Sequence, residues 1–191
     1  ELDEREVSAL DDMAAFELGA GARDYLLFFG RIHPHKGTRG AIEVARAAGL
    51  PLVIAGIIQD RGYFDAEVAP HLDGDGVSFI GPVGAADRAA VLANAHALLH
   101  LIDFDEPFGF SVVEAMACGT PVIAHRRGSM PEIVDHGLSG FLVDGPADTG
   151  SAIEQAGSLD RNLIRSVTAA RFGAAAMVDR YIDVYRAVLA H

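Results

Sequence analysis

Six short apolar runs rich in leucine, isoleucine, valine and phenylalanine recur along the chain: YLLFFG (25–30), PLVIAG (51–56), GVSFIG (76–81), ALLHLI (97–102), PVIAHR (121–126) and GFLVD (140–144). Alanine-rich stretches with helical spacing separate them, notably TRGAIEVARAAG, YFDAEVAPHL, AADRAAVLANA and SVVEAMACG. Strand alternating with helix is the signature of βαβ units. The expected fold is therefore α/β, a Rossmann-like open parallel sheet of about six strands with helices on both faces. The runs are continuously apolar, as strands covered on both sides should be. Half of the 191 residues are hydrophobic, enough to bury one core. The expected organisation is an acidic boundary segment over 1–24, a single domain over 25–173 and a carboxyl-terminal helix over 174–191. On that helix Met177, Tyr181, Tyr185 and Val188 fall on one face and call for a partner surface: the sheet, another domain or a second copy.

Several function classes are disfavoured by composition. The formal net charge is −12 and no basic run occurs, so the long-range field repels polyanions and nucleic acid is not an expected partner. Cys118 is the only cysteine, which excludes an internal disulfide and a cysteine-built zinc site and fits a reducing, cytoplasmic setting. The apolar runs are far shorter than the roughly 20 residues of a membrane span, leaving only peripheral association of a full-length protein open. Because the chain opens at Glu1, it is expected to be cut from something longer.

In an open parallel sheet, ligands bind beyond the carboxyl ends of the strands, where connections diverge and helix amino termini point at the crevice. The first such loop reads G-R-I-H-P-H-K-G. It lacks the G-x-G-x-x-G of dinucleotide folds, and Lys36-Gly37 reverses the order needed by a Walker loop. What remains is Arg31 and Lys36, a guanidinium and an ammonium able to face one diphosphate from two sides. After the fourth strand, EPFGFSVVE sets Glu106 and Glu114 around a Phe-Gly-Phe-Ser turn. Gly109 allows close backbone approach, and amides at a helix start favour a phosphate. The two carboxylates would then accept hydrogen bonds from hydroxyls on either side of it. Ser111-Val112-Val113-Glu114 also reads as an N-cap with its capping-box glutamate, a purely structural account of Glu114.

GRIHPHKG, EPFGFSVVEAMACGTPVIA and GSMPEIVDHGLSGFLV, in this order at these strand ends, resemble the carboxyl-terminal, donor-binding domain of family 4 retaining glycosyltransferases of the two-Rossmann-domain (GT-B) architecture. The resemblance implies a sugar moved from a nucleoside diphosphate sugar to an acceptor. Arg31 and Lys36 would hold the diphosphate and Glu106 the transferred sugar, while Glu114 would bind the ribose. Amides of Gly109, Phe110, Ser111 and Val112 would meet the phosphates. Gly81, Pro82 and Val83 would lie near the base, with Gly30 and Gly56 completing the donor-binding set. It also implies that acceptor recognition belongs to an amino-terminal domain absent from this chain, and that the chain alone is inactive. One departure is that many relatives carry Pro-Ser where Ile102-Asp103 stands here.

Asp103-Phe104-Asp105 and Asp73-Gly74-Asp75 each spell D-x-D, a metal-binding signature of another glycosyltransferase fold. With Arg31, Lys36 and a helix terminus already supplying positive charge, no metal or other cofactor is expected. His33 and His35 read as exposed loop residues, and Cys118 as a small core residue. Two other functions fit the same pattern: a sugar-nucleotide epimerase, which needs acid and base groups at the sugar, and a non-catalytic module that binds a nucleotide sugar.

Overall fold

The computed structural model describes residues 23–73 and 76–189. Its sheet comprises β1 (Leu26–Phe29), β2 (Leu52–Ala55), β3 (Val77–Gly81), β4 (Ala97–His100), β5 (Val122–His125) and β6 (Gly140–Val143). All neighbours are parallel, in the order β3-β2-β1-β4-β5-β6. The helices are α1 (Thr38–Ala48), α2 (Ala85–Ala93), α3 (Phe110–Ala117), α4 (Met130–Ile133), α5 (Pro146–Ala156), α6 (Arg161–Phe172) and α7 (Ala174–Leu189). Each apolar run yields one strand at its centre. YFDAEVAPHL is less regular than its spacing suggests, forming a π turn over Phe64–Val68 and a 3-10 turn over Ala69–His71. Pro70 lacks an N–H and cannot continue an α-helix.

Although the strands look uniformly apolar, their side chains still alternate between faces. Leu27, Leu98, Val122, Ala124 and Leu142 join Val112, Val113 and Met116 of α3 and Ile164 of α6. Leu26, Phe28, Leu52, Ile54, Leu99 and Ile123 pack instead with Ile42 of α1 and Ile153 of α5. Each fully buried leucine or isoleucine contributes roughly 1.5–3 kcal/mol, so both layers are needed to offset chain entropy. Arg161 is buried at the start of α6, where it donates to the Ala93 carbonyl at 2.9 Å and to that of Ala95. These bonds tie α6 to the turn entering β4. Burial lowers the Arg161 pKa to about 10, which leaves the guanidinium charged at neutral pH.

On α7, Tyr181, Tyr185 and Val188 are exposed. Met177 is partly buried beside Phe108, Phe172 and Arg171. Among the described residues no helix is long and apolar enough to cross a membrane. The boundary segment expected over 1–24 falls almost wholly outside the described residues, as does Gly74-Asp75 of the second D-x-D.

Candidate functional site

The strand order reverses direction at β1 and β4, which are adjacent in the sheet although their connections leave toward opposite edges. A crevice opens there because no connection crosses it. A cavity of about 230 Å³ occupies it, lined by Gly30 and Arg31 after β1, Lys36, His100 and Ile102 at the end of β4, Glu106, and Gly109, Phe110 and Ser111 where α3 begins.

The cationic loop is fixed by its own backbone. The His35 N–H donates to Nδ1 of His33 at 3.3 Å, starting a 3-10 turn over Pro34–Lys36. Gly37 follows with φ of 76°, and a Cβ there would stand 2.0 Å from the Leu101 carbonyl oxygen. Only glycine lets the loop sit so tightly on the end of β4. Asp103 strengthens the contact, its N–H donating to the His35 carbonyl at 3.2 Å and its carboxylate lying 3.0 Å from His35 Nδ1. Asp103 therefore anchors the loop. Lys36 is thereby aimed inward, with Nζ 2.5 Å from Glu106 Oε2 and 4.6 Å from the centre of the Phe104 ring. Arg31 stays exposed on the rim and makes no ion pair among the described residues.

Glu106 is held from behind by the Arg-Gly-Ser turn after β5. The Ser129 N–H donates to the Glu106 carbonyl at 3.0 Å, and the Ser129 hydroxyl donates to that of Phe108 at 3.0 Å. Arg127 donates to the Asp103 carbonyl and lies 3.9 Å from Asp105. Both acids of the D-x-D are thus engaged by His35 and Arg127.

The capping-box reading of Ser111 and Glu114 is not borne out. Gly109, in the left-handed region with φ of 87°, is itself the N-cap of α3, and no side chain caps it. The chain turns into the helix two residues early because glycine tolerates that φ. Val112 and Val113 then donate to the Gly109 carbonyl at 3.0 and 3.3 Å, so the Val112 amide is spent within the turn. The N–H groups of Phe110 and Ser111 find no acceptor among the described residues. Glu114, buried one turn further on, accepts from Arg88 of α2 at 2.7 Å. Burial raises its pKa, and Arg88 opposes that rise. Arg88 also lies over the Phe29 ring at 5.7 Å.

The cavity thus unites Gly30, Arg31, Lys36, Glu106, Gly109, Phe110 and Ser111. It does not include Gly56, Gly81, Pro82, Val83, Val112 or Glu114. Gly56 packs on the Gly30 carbonyl, which a Cβ would approach to 1.8 Å, and donates its N–H to Gly81. It shapes the end of β1 from behind. Gly81 ends β3 and Pro82 and Val83 follow it, beyond β2 and at the sheet edge.

Three features escape reading by motif. Arg88 belongs to none of the motifs, and the contacts of the Arg-Gly-Ser turn with Glu106 and Phe108 span about twenty residues. His100, the last residue of β4, is only 7% exposed and lines the cavity, yet its Nε2 is buried without a hydrogen-bond partner. Burial lowers its pKa to about 4; Glu106 pulls it upward while Lys36 and His125 push it down. A polar residue closing an otherwise apolar strand was the available signal. A larger hollow of about 690 Å³ between α1 and α5 holds none of the predicted residues, and its lining is mainly apolar. Chemistry rather than size identifies the candidate site.

A sequence model of the family described as "Glycosyl transferases group 1" matches residues 14–174. The D-inositol 3-phosphate glycosyltransferase of Pseudarthrobacter chlorophenolicus is 36% identical over 141 residues, spanning 68% of this chain and 33% of that protein. The crystal structure of AviGT4, a glycosyltransferase involved in avilamycin A biosynthesis, superposes with a TM-score of 0.76 at 33% identity, covering 89% of this chain and 53% of AviGT4. The carboxyl-terminal domain of LpcC, a group 1 family protein from Francisella tularensis, shares the fold with a TM-score of 0.62 at 22% identity, over 89% of this chain and 97% of that domain. The chain therefore spans about a third to a half of the length of the full-length proteins it resembles.

Proposed function

Because the chain belongs to the group 1 glycosyl transferases, we propose that it is the donor-binding half of a GT-B enzyme that moves a sugar from a nucleoside diphosphate to an acceptor, with retention of anomeric configuration as in family 4. The observation that carries this reading is the Lys36–Glu106 pair at the β1–β4 switch point, beside Arg31 and the free amides of α3. Without donor, the two side chains neutralise each other. A diphosphate entering between Arg31, Lys36 and the α3 amides takes over Lys36 and releases Glu106 to accept hydrogen bonds from sugar hydroxyls. Lys36 keeps an anionic partner through the exchange, and Arg31 gains one.

Cleavage of the glycosidic bond leaves negative charge on the departing diphosphate. Charge-assisted hydrogen bonds from Arg31 and Lys36 supply roughly 1.5–3 kcal/mol each, and the helix terminus about 0.3–1 kcal/mol. The cations dominate, which removes the need for a metal. Glu114, held by Arg88, is proposed to meet the ribose, and Gly81 to Val83 the base. Acceptor recognition is assigned to the remainder of the whole protein, against which the apolar face of α7 would pack. A cytoplasmic site of action fits the lone buried thiol.

Titration calorimetry of Lys36→Ala with UDP, GDP and ADP against the matching nucleosides tests the reading. A loss of about 1.5–3 kcal/mol for the diphosphates with little change for the nucleosides is expected. Equal losses for both ligand classes would remove Lys36 from the diphosphate role, and EDTA in the same titrations should change nothing.

A further inference from the structure

His100 stands out from the polar residues around the cavity. Arg31, Lys36 and Glu106 are the charged members, and each has a role in the reading above, whereas His100 has none. It sits at the carboxyl end of β4 facing the start of α3, walled by Phe28, Leu99 and Ile102. Thr38 Oγ1 and Arg88 Nε are the other buried, unpartnered side-chain polar atoms among the described residues, and neither residue lines this cavity. A buried imidazole nitrogen without a partner costs about 1–3 kcal/mol of desolvation unless something supplies the missing bond. Of the residues that carry such an atom among the described residues, His100 is the one that lines the cavity, where a ligand could supply the bond.

We propose that His100 recognises the transferred sugar, exchanging a hydrogen bond with one of its hydroxyl groups beside Glu106. This inference rests on the donor-binding reading and extends it to a residue outside the motifs. Three observations favour a hydroxyl over a phosphate oxygen. The buried ring is uncharged near neutral pH, so it adds no net attraction for an anion that Arg31, Lys36 and the α3 amides already attract. A neutral imidazole offers one donor and one acceptor, the same valence as a hydroxyl. Glu106, the acid assigned to the sugar hydroxyls, lines the same cavity as His100. A site holding a desolvated nitrogen rejects ligands that leave it unpaired far more strongly than an apolar pocket rejects a misfit.

The test uses His100→Leu, close in volume and apolar, and His100→Asn, which keeps a donor and an acceptor. Wild type is first titrated with UDP, GDP and ADP to find the base. That nucleotide and its glucose, galactose and N-acetylglucosamine derivatives are then measured on all three proteins, with circular dichroism as a check of folding. His100→Leu should bind the bare diphosphate within about twofold of wild type and the best sugar derivative at least about tenfold more weakly, with partial recovery in His100→Asn. Should the leucine variant fail to fold, selective weakening of the sugar derivative in His100→Asn decides. Equal losses for diphosphate and sugar derivative, or no loss for either, would overturn the assignment. So would a wild type that gains no affinity from any sugar while binding the diphosphate, which leaves the phosphate site standing. A wild type that binds none of these nucleotides removes the donor-binding reading and this inference together.

Discussion

Acidification should destabilise this protein through a single buried ring. His100 has a folded-state pKa of about 4 against 6.5 in an ordinary setting. Its folded value is depressed, so the stability it confers is fully present above the unfolded pKa and is lost as pH falls toward the folded value. Between those limits the unfolded chain takes up a proton that the native ring refuses. The gap of about 2.5 pH units, at about 1.4 kcal/mol per unit, comes to about 3.5 kcal/mol. By about pH 5 roughly 2 kcal/mol of it is gone, or about 4–8 °C in Tm for a domain of this size. Glu106, Lys36 and His125 all act on the charge of the ring. The assay is therefore a comparison of wild type with His100→Leu, followed by urea and thermal unfolding from about pH 7.5 to about pH 4.5. Wild type should lose about 2 kcal/mol more than the variant over the upper part of that range. Parallel curves would refute the argument, because they would mean that burial does not keep the ring neutral.

Two further perturbations probe the supports of the site. Arg88→Met strands the buried Glu114 carboxylate and should cost about 1–3 kcal/mol in urea unfolding, the lower part of the range reflecting the partly exposed guanidinium. Glu114 has a raised folded pKa, so its stability is present below the unfolded value and lost as pH rises through the folded one; the variant should regain stability on acidification, and Glu114→Gln added to it should recover part of the loss. A cost under about 0.5 kcal/mol with no pH dependence would show that Arg88 does not hold Glu114. Gly37→Ala drives a Cβ into the Leu101 carbonyl at 2.0 Å and should weaken UDP, GDP or ADP binding at least about tenfold by displacing Lys36. Gly40→Ala in α1 meets nothing within 4 Å and should be neutral or stabilising by up to about 1 kcal/mol. Indistinguishable binding by the two variants would contradict the account of the loop.

The strands and most helices were legible because hydrophobic continuity and alanine-rich spacing are local properties. That Arg31, Lys36 and Glu106 would share one cavity was legible because they stand on loops at the carboxyl ends of strands. Glu114 was legible as a residue but not in its setting, since Ser-x-x-Glu describes a local cap whereas its observed partner, Arg88, lies 26 positions away. The role of Asp103 is likewise visible only once β4 brings it against His35, 68 positions earlier.

What the sequence determined by itself is the α/β architecture, with its six strands, their order along the chain and the strand-end loops that carry Arg31, Lys36 and Glu106, since each follows from residue type and short-range spacing. Tertiary structure alone decided that Lys36 closes on Glu106, that the Arg-Gly-Ser turn holds Glu106 in place, and that His100 is left with a buried, unpaired nitrogen at the cavity. Those facts depend on which strands become neighbours and on how much water their packing removes, and desolvation is a property of the assembled fold.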